Sequence, residues 1–250
     1  MEDEKRNSIF HNITTVLLLF LFLKLAPAAG RFVANQFIFD TIDEYGRFAW
    51  ISIHHIVQML LALLVIAITA KTLKLDFGFG LGDKKTGVEF VKNFTVTAFV
   101  FALIWHLSAQ ILGNVGTPDY PLNFTNIAGQ LGFQLLLTGP SEEILFRALP
   151  IIVLVWSFRE SKTIIKMKEL EISLENLIAA IFFTIAHVSW SLNPFSINAS
   201  WIQLTLSIVL GLWYGLAYQK SKSIVYPMTM HSIWNLIMVG ARYIHFAILQ

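Results

Sequence analysis

Apolar runs alternate with short polar stretches along almost the whole chain. The first covers residues 9–29, and six more follow near 49–72, 90–112, 126–157, 174–192, 200–219 and 224–248. Each approaches or exceeds the ~20 residues that a helix needs to cross a bilayer. The pattern predicts an all-α, polytopic transmembrane helical bundle of about seven spans, forming one integral-membrane domain over 1–250 without an internal repeat. The fourth run is overlong and predicts a bend or division at Gly139-Pro140. Residues 73–89 read as a polar, Gly-rich loop with Phe77 and Phe79 at the membrane interface. The small residues Ala26-Pro27-Ala28-Ala29-Gly30 resemble a signal-peptidase site, but the long apolar run and the acidic start (Glu2, Asp3, Glu4) favour an uncleaved first span.

Charge orients the spans. Lys5 and Arg6 precede the first span. Lys71, Lys74, Lys84, Lys85 and Lys92 follow the second, Arg159, Lys162, Lys166 and Lys168 the fourth, and Lys220 and Lys222 the sixth. The intervening loops are poor in base: 113–123 holds only Asp119, 193–199 holds no charge, and Arg31 and Arg47 are set against Asp40, Asp43 and Glu44. Positive charge collects on the cytoplasmic side, so seven spans with a cytoplasmic N-terminus satisfy every loop. An eighth span would spoil the alternation.

Composition agrees. Of the 250 residues 56% are hydrophobic and 14% charged, against about a quarter charged in soluble domains. A formal net charge of +2 without a basic run offers nothing to nucleic acid. The absence of cysteine excludes disulfides, thiolate catalysis and Cys-ligated metal centres. Oligomeric state leaves no trace in the sequence.

Against this background, charge inside the fourth run stands out. The segment Gly139-Pro140-Ser141-Glu142-Glu143-Ile144-Leu145-Phe146-Arg147 places three ionisable groups between Leu135-Leu136-Leu137 and Pro150-Ile151-Ile152. Even on lenient scales each costs roughly 2.5–3.5 kcal/mol at the bilayer centre, and such residues face a protein interior or a wet cavity. Glu143 and Arg147 are four apart, acid before base, and can neutralise one another. Glu142, about 100° away around the helix, has no such partner. A structural ion pair would account for Glu143 and Arg147 but not for Glu142.

Two further spans carry polar groups. His187 is the strongly polar residue of its stretch, with Phe183 one turn earlier; alone, it reads as a core histidine bonded to a backbone carbonyl. His231 and Asn235 share one face of the seventh span, where two N–H donors can converge on a single oxygen or bond neighbouring helices. Counted at about 1.5 Å per residue, Glu142, His187 and His231 fall at similar depth in the cytoplasmic half of the bilayer. His11, His54, His55, His106 and His245 lie toward span ends and read as interfacial.

Glu-Glu-x-x-x-Arg (Glu142, Glu143, Arg147), Phe-x-x-x-His (Phe183, His187) and His-x-x-x-Asn (His231, Asn235) occur in that order. With Gly211-Leu212-Trp213-Tyr214-Gly215-Leu216-Ala217-Tyr218, they resemble the CAAX prenyl endopeptidase and bacteriocin-processing family of glutamate intramembrane proteases, over roughly 125–240. The resemblance implies that Glu142 is the general base that activates water, that His187 helps hold that water, and that His231 and Asn235 form the oxyanion hole. Glu143 and Arg147 would support the site, without metal or cofactor. It further implies a peptide or lipidated protein substrate, such as a prenylated CAAX protein losing its C-terminal tripeptide, cut near the cytoplasmic face among membrane lipids.

The residues fit peptide hydrolysis, which needs a base for water and donors for the developing oxyanion. Two rivals stand beside it. Glu142, His187 and His231 could form the His₂Glu set of a zinc-dependent membrane protease, although no His-Glu-x-x-His motif is present. The cluster could also serve a transporter or a non-enzymatic scaffold, a role that some bacteriocin-immunity members of the family fill.

Overall fold

The computed structural model describes residues 2–113, 118–167, 170–192 and 195–249. Lys168, and parts of the base-poor loops 113–123 and 193–199, lie outside the described residues. The chain is an all-α membrane bundle. Its helices are α1 (Glu2–Ala34), α2 (Ala49–Leu73), α3 (Lys84–Ile111), α4 (Phe124–Phe133), α5 (Gly139–Glu143), α6 (Leu149–Phe158), α7 (Leu174–Ala186), α8 (Trp201–Ser221) and α9 (Val225–Leu249). Four are long and apolar enough to cross a membrane: Ile9–Ala34 within α1, and α2, α3 and α8. At 25 residues α9 matches them in length, but it carries His231, Asn235, Arg242 and His245.

The overlong run is divided into segments from α4 to α6, with one boundary between Thr138 and Gly139. Thr138 and Gly139 keep helical dihedrals, and π-helical turns at Gln134–Thr138 and Ile144–Ala148 join α4, α5 and α6. Each π turn comes just before a proline, Pro140 and Pro150. A proline lacks the N–H for the i−4 bond and its ring crowds that carbonyl; a locally wider turn makes room for it.

The fifth apolar run is also shorter in helix than its hydropathy suggests. The α7 helix has 13 residues and ends at Ala186, with His187 as its cap residue at φ −88°, ψ 0°. That is about 20 Å of helix, short of the ~30 Å hydrocarbon core. The rest of the predicted span turns into strand β3 (Ser189–Leu192), here numbered after β1 (Thr163–Met167) and β2 (Leu170–Ser173) and paired antiparallel with β4 (Phe195–Asn198). An apolar count alone cannot tell a helix end from a strand.

Two apolar clusters frame the centre. One gathers α1, α2, α7 and the α5–α6 stretch around Leu23, Leu145, Leu154 and Phe182, and the other joins α3, α8 and α9 around Phe94, Tyr214 and Met230. Phe77 belongs to the first cluster and is 2% exposed. Its carbonyl accepts the Tyr218 hydroxyl at 2.8 Å, which pulls the 74–83 loop onto α8. Phe79 remains exposed.

Contacts sort the loops into two ends. The 74–83 loop docks on the α8–α9 turn, with Asp83 N–H to the Ser221 carbonyl at 2.7 Å and Ile224 N–H to the Gly78 carbonyl at 2.9 Å. Gly78 and Gly82 have φ of +64° and +51° there, which a side chain would strain. At that same end Ser157 of α6 meets Asn12 of α1 at 3.0 Å, and Gln219 meets Ser173 at 2.8 Å. At the other end Arg47 pairs with Asp119, and the Tyr120 and Tyr243 hydroxyls meet at 2.7 Å.

Candidate active site

The π turn after α5 holds Arg147 one turn beyond Glu143, and both side chains are sealed at 0% exposure. Arg147 Nη1 lies 3.2 Å from Glu143 Oε1. Its guanidinium lies 4.0 Å from the Phe183 ring centroid and 5.5 Å from that of Tyr214, faces that favour a cation. Gly211 makes room for it: a Cβ there would come within 3.1 Å of Nη2. The adjacent acid behaves differently. The Glu142 side chain is 18% exposed. Of two neighbouring carboxylates, Glu143 is sealed and paired with Arg147, as the four-residue spacing predicts, and Glu142 is partly exposed.

Glu143 has a second partner. His231 Nδ1 donates to its Oε1 at 2.7 Å. The imidazole is stacked on Tyr214, with centroids 5.1 Å apart and planes 18° apart. So held, it presents Nε2 3.8 Å from Glu142 Oε2. This ties α9 to the α5 turn through both acids. Gly139 allows the approach, because a Cβ on it would collide with the Met228 carbonyl and the Ser232 hydroxyl of α9.

His187 sits where α7 ends. Its Nδ1 donates to the Phe183 carbonyl at 2.8 Å, the bond expected of a core histidine. In the neutral ring Nε2 is then an acceptor, able to take a hydrogen bond from water. Phe183 packs edge-on to His187 at 4.6 Å and to His231 at 6.0 Å, so one aromatic ring spaces both imidazoles. Lys24 of α1 fastens the same helix end, donating from Nζ to the Ile185 carbonyl at 3.0 Å. A cation at a helix C-terminus also meets the negative end of its dipole.

His187, His231 and Asn235 line one cavity of about 270 Å³, together with Phe183, Gln203 and Tyr214. Glu142 is not among its lining residues; it meets this group through His231, and His187 and Arg147 lie near enough to act on its charge. Among the described residues no set of three or more His, Asp and Glu side chains is arranged to hold a metal ion, Glu142, His187 and His231 included.

Two histidines expected at the interface are packed inside the bundle: His54 and His55 are 7% and 5% exposed. His55 lies six residues into α2, about 9 Å of helix, and reaches Ser141 and Glu142. The signal in the sequence was Gln58 one turn on, a second polar side chain on the same face of an apolar span. His106 and His245 pair with each other at 5.6 Å, and His11 meets Trp156 edge-on at 5.3 Å, away from this cluster.

Residues 124–237 match the family model described as type II CAAX prenyl endopeptidase Rce1-like. No curated protein and no solved structure matches the chain.

Proposed function

We propose that this chain, of which residues 124–237 match the type II CAAX prenyl endopeptidase family model, is an intramembrane endopeptidase in which Glu142 activates the water that cuts a peptide bond near the cytoplasmic side of the membrane. The observation that carries the proposal is the pairing of a partly exposed carboxylate with an imidazole that a buried carboxylate holds in place: Glu142 Oε2 to His231 Nε2 at 3.8 Å, and His231 Nδ1 to Glu143 at 2.7 Å.

In this mechanism Glu142 takes a proton from water, and the hydroxide attacks the scissile carbonyl carbon. His187 holds the water through Nε2. The carbonyl oxygen gains negative charge and accepts hydrogen bonds from the Asn235 amide and from His231. The C–N bond then breaks, and Glu142 returns its proton to the leaving amine. Since Nδ1–H of His231 is committed to Glu143, its donation from Nε2 requires the ring to carry both protons. Glu143 and Arg147 do not touch the substrate; they fix the ring and balance its charge. No step calls for a metal or a cofactor. The family name points to a prenylated C-terminal peptide as substrate, with its lipid anchored in the bilayer.

The test is cleavage of a panel of prenylated and unprenylated peptides by purified protein with a strong chelator present. Wild type should cut prenylated members. Glu142→Gln keeps the side-chain shape, so it should remain folded and lose roughly 10²–10⁴-fold in rate, the range for a lost general base. Full activity in Glu142→Gln overturns the role, and activity abolished by the chelator moves the reading to a metalloprotease.

A further inference from the structure

The carboxylate of Glu142 has a neighbour on the side away from His231, and it comes from outside the matched segment. His55 Nδ1 lies 2.6 Å from the Oγ of Ser141, the residue just before Glu142. The Ser141 hydroxyl in turn donates to the Thr138 carbonyl at 3.2 Å. Nδ1 is engaged by Ser141 Oγ and faces the Gln58 Nε2 donor, so the ring nitrogen left free for the site is Nε2. Phe133 meets the ring edge-on at 5.0 Å, His54 packs against it at 5.2 Å, and the Gln58 amide stands 3.3 Å from Nδ1. A ring held from three helices does not turn freely. What it presents to the site is Nε2, 3.8 Å from Glu142 Oε1.

Glu142 thus stands between two imidazoles, one Nε2 for each carboxylate oxygen, both at 3.8 Å. That gap is too long for a direct hydrogen bond and suits a shared water. We propose that His55 is a positioning residue of the hydrolytic site: with Glu142 it holds the nucleophilic water from the α2 side and fixes the carboxylate plane against it. The inference rests on the role given to Glu142 above. It makes α2, which lies outside the family match, part of the active site, so that the matched segment alone does not complete it.

A plain tether between α2 and α5 would produce the same Ser141 contact, and two substitutions separate the possibilities. His55→Asn places an amide near the Nδ1 position, keeping the Ser141 bond while offering nothing to Glu142. His55→Gln reaches toward the Nε2 position. With a positioning role, His55→Asn keeps a near-wild-type melting temperature and loses roughly 10–100-fold in kcat with little change in KM, while His55→Gln retains more of the rate. Wild-type kcat in His55→Asn overturns the proposal. A second measurement does not depend on turnover. In protein labelled with ¹⁵N-histidine, the Nε2 signal of His55 should move when Glu142 becomes Gln. If it stays put, the pairing is absent and the proposal fails. If wild type cuts no peptide yet the signal moves, it is the hydrolytic reading that fails, and the His55–Glu142 pairing stands.

Discussion

Glu143 and Arg147 are the charges with the most to lose. Both are fully buried, and Glu143 serves two partners, Arg147 at 3.2 Å and His231 at 2.7 Å. Removing one member of a buried pair leaves an uncompensated charge, at a cost of about 3–5 kcal/mol, whereas replacing both members by apolar groups is often neutral. Glu143→Gln should therefore lower the melting temperature sharply and abolish cleavage. Glu143→Gln with Arg147→Met should regain much of the stability but none of the activity, because His231 Nδ1 still lacks its carboxylate. Thermal unfolding and peptide cleavage on the same detergent preparations check this, and an active double variant would contradict the anchoring role of Glu143. The opposite fates of the two acids were legible, because a four-residue spacing to Arg147 is a local fact. The Glu143–His231 bond was not. It joins residues on separate helices, and the sequence showed His231 only its neighbour on the same face, Asn235. His55 was hidden for a related reason: its partner Ser141 is on another helix, and a histidine near the start of an apolar run looks interfacial until packing places it.

Among the elements, the α4–α6 run decides where the acids point. A proline in a strict α-helix would bend it; the two π turns absorb Pro140 and Pro150 and carry the helix past both. Hydropathy sees only a long apolar stretch with a Gly-Pro in it, so the sequence located the division but not the π turns that make it. The 13-residue α7 was misjudged because β3 continues its apolar pattern. Gly139 gives this scale its test. A Cβ on it would lie 2.2 Å from the Met228 carbonyl of α9. Gly139→Ala must push the two apart, and overpacking of this kind costs about 1–3 kcal/mol. The larger effect should be on rate, since α9 carries His231 and a shift of about 1 Å can cost roughly 10²-fold. Gly132→Ala is the matched control. It lies in the same helical run, and a Cβ there meets nothing within 4 Å, so it should leave activity unchanged. If the two alanine variants have equal kcat/KM, the close approach at Gly139 does not set the site.

For the whole molecule, the question is how the bundle sits in its membrane. The lysine-rich stretches gather at one end: the 74–83 loop and Lys84 and Lys85 beyond it lie beside the α8–α9 turn, and the end of α6 lies beside the start of α1. Arg47, Asp119 and the Tyr120–Tyr243 pair gather at the other. Seven alternating spans would sort the loops in this way, and by the charge bias the lysine-rich end would be the cytoplasmic one. A chain without cysteine offers a clean way to test the assignment, since any introduced thiol is the only one present. Lys85→Cys and Glu160→Cys replace exposed residues at or near the lysine-rich end, and Asp40→Cys and Asn198→Cys replace exposed residues in the base-poor loops. In intact cells a membrane-impermeant maleimide should label the second pair and spare the first until the membrane is opened. Labelling in the reverse order would place the lysine-rich end outside. A reversed orientation would count against the proposed cleavage of a prenylated substrate near the cytoplasmic face. The test therefore bears on the substrate as well as on the topology.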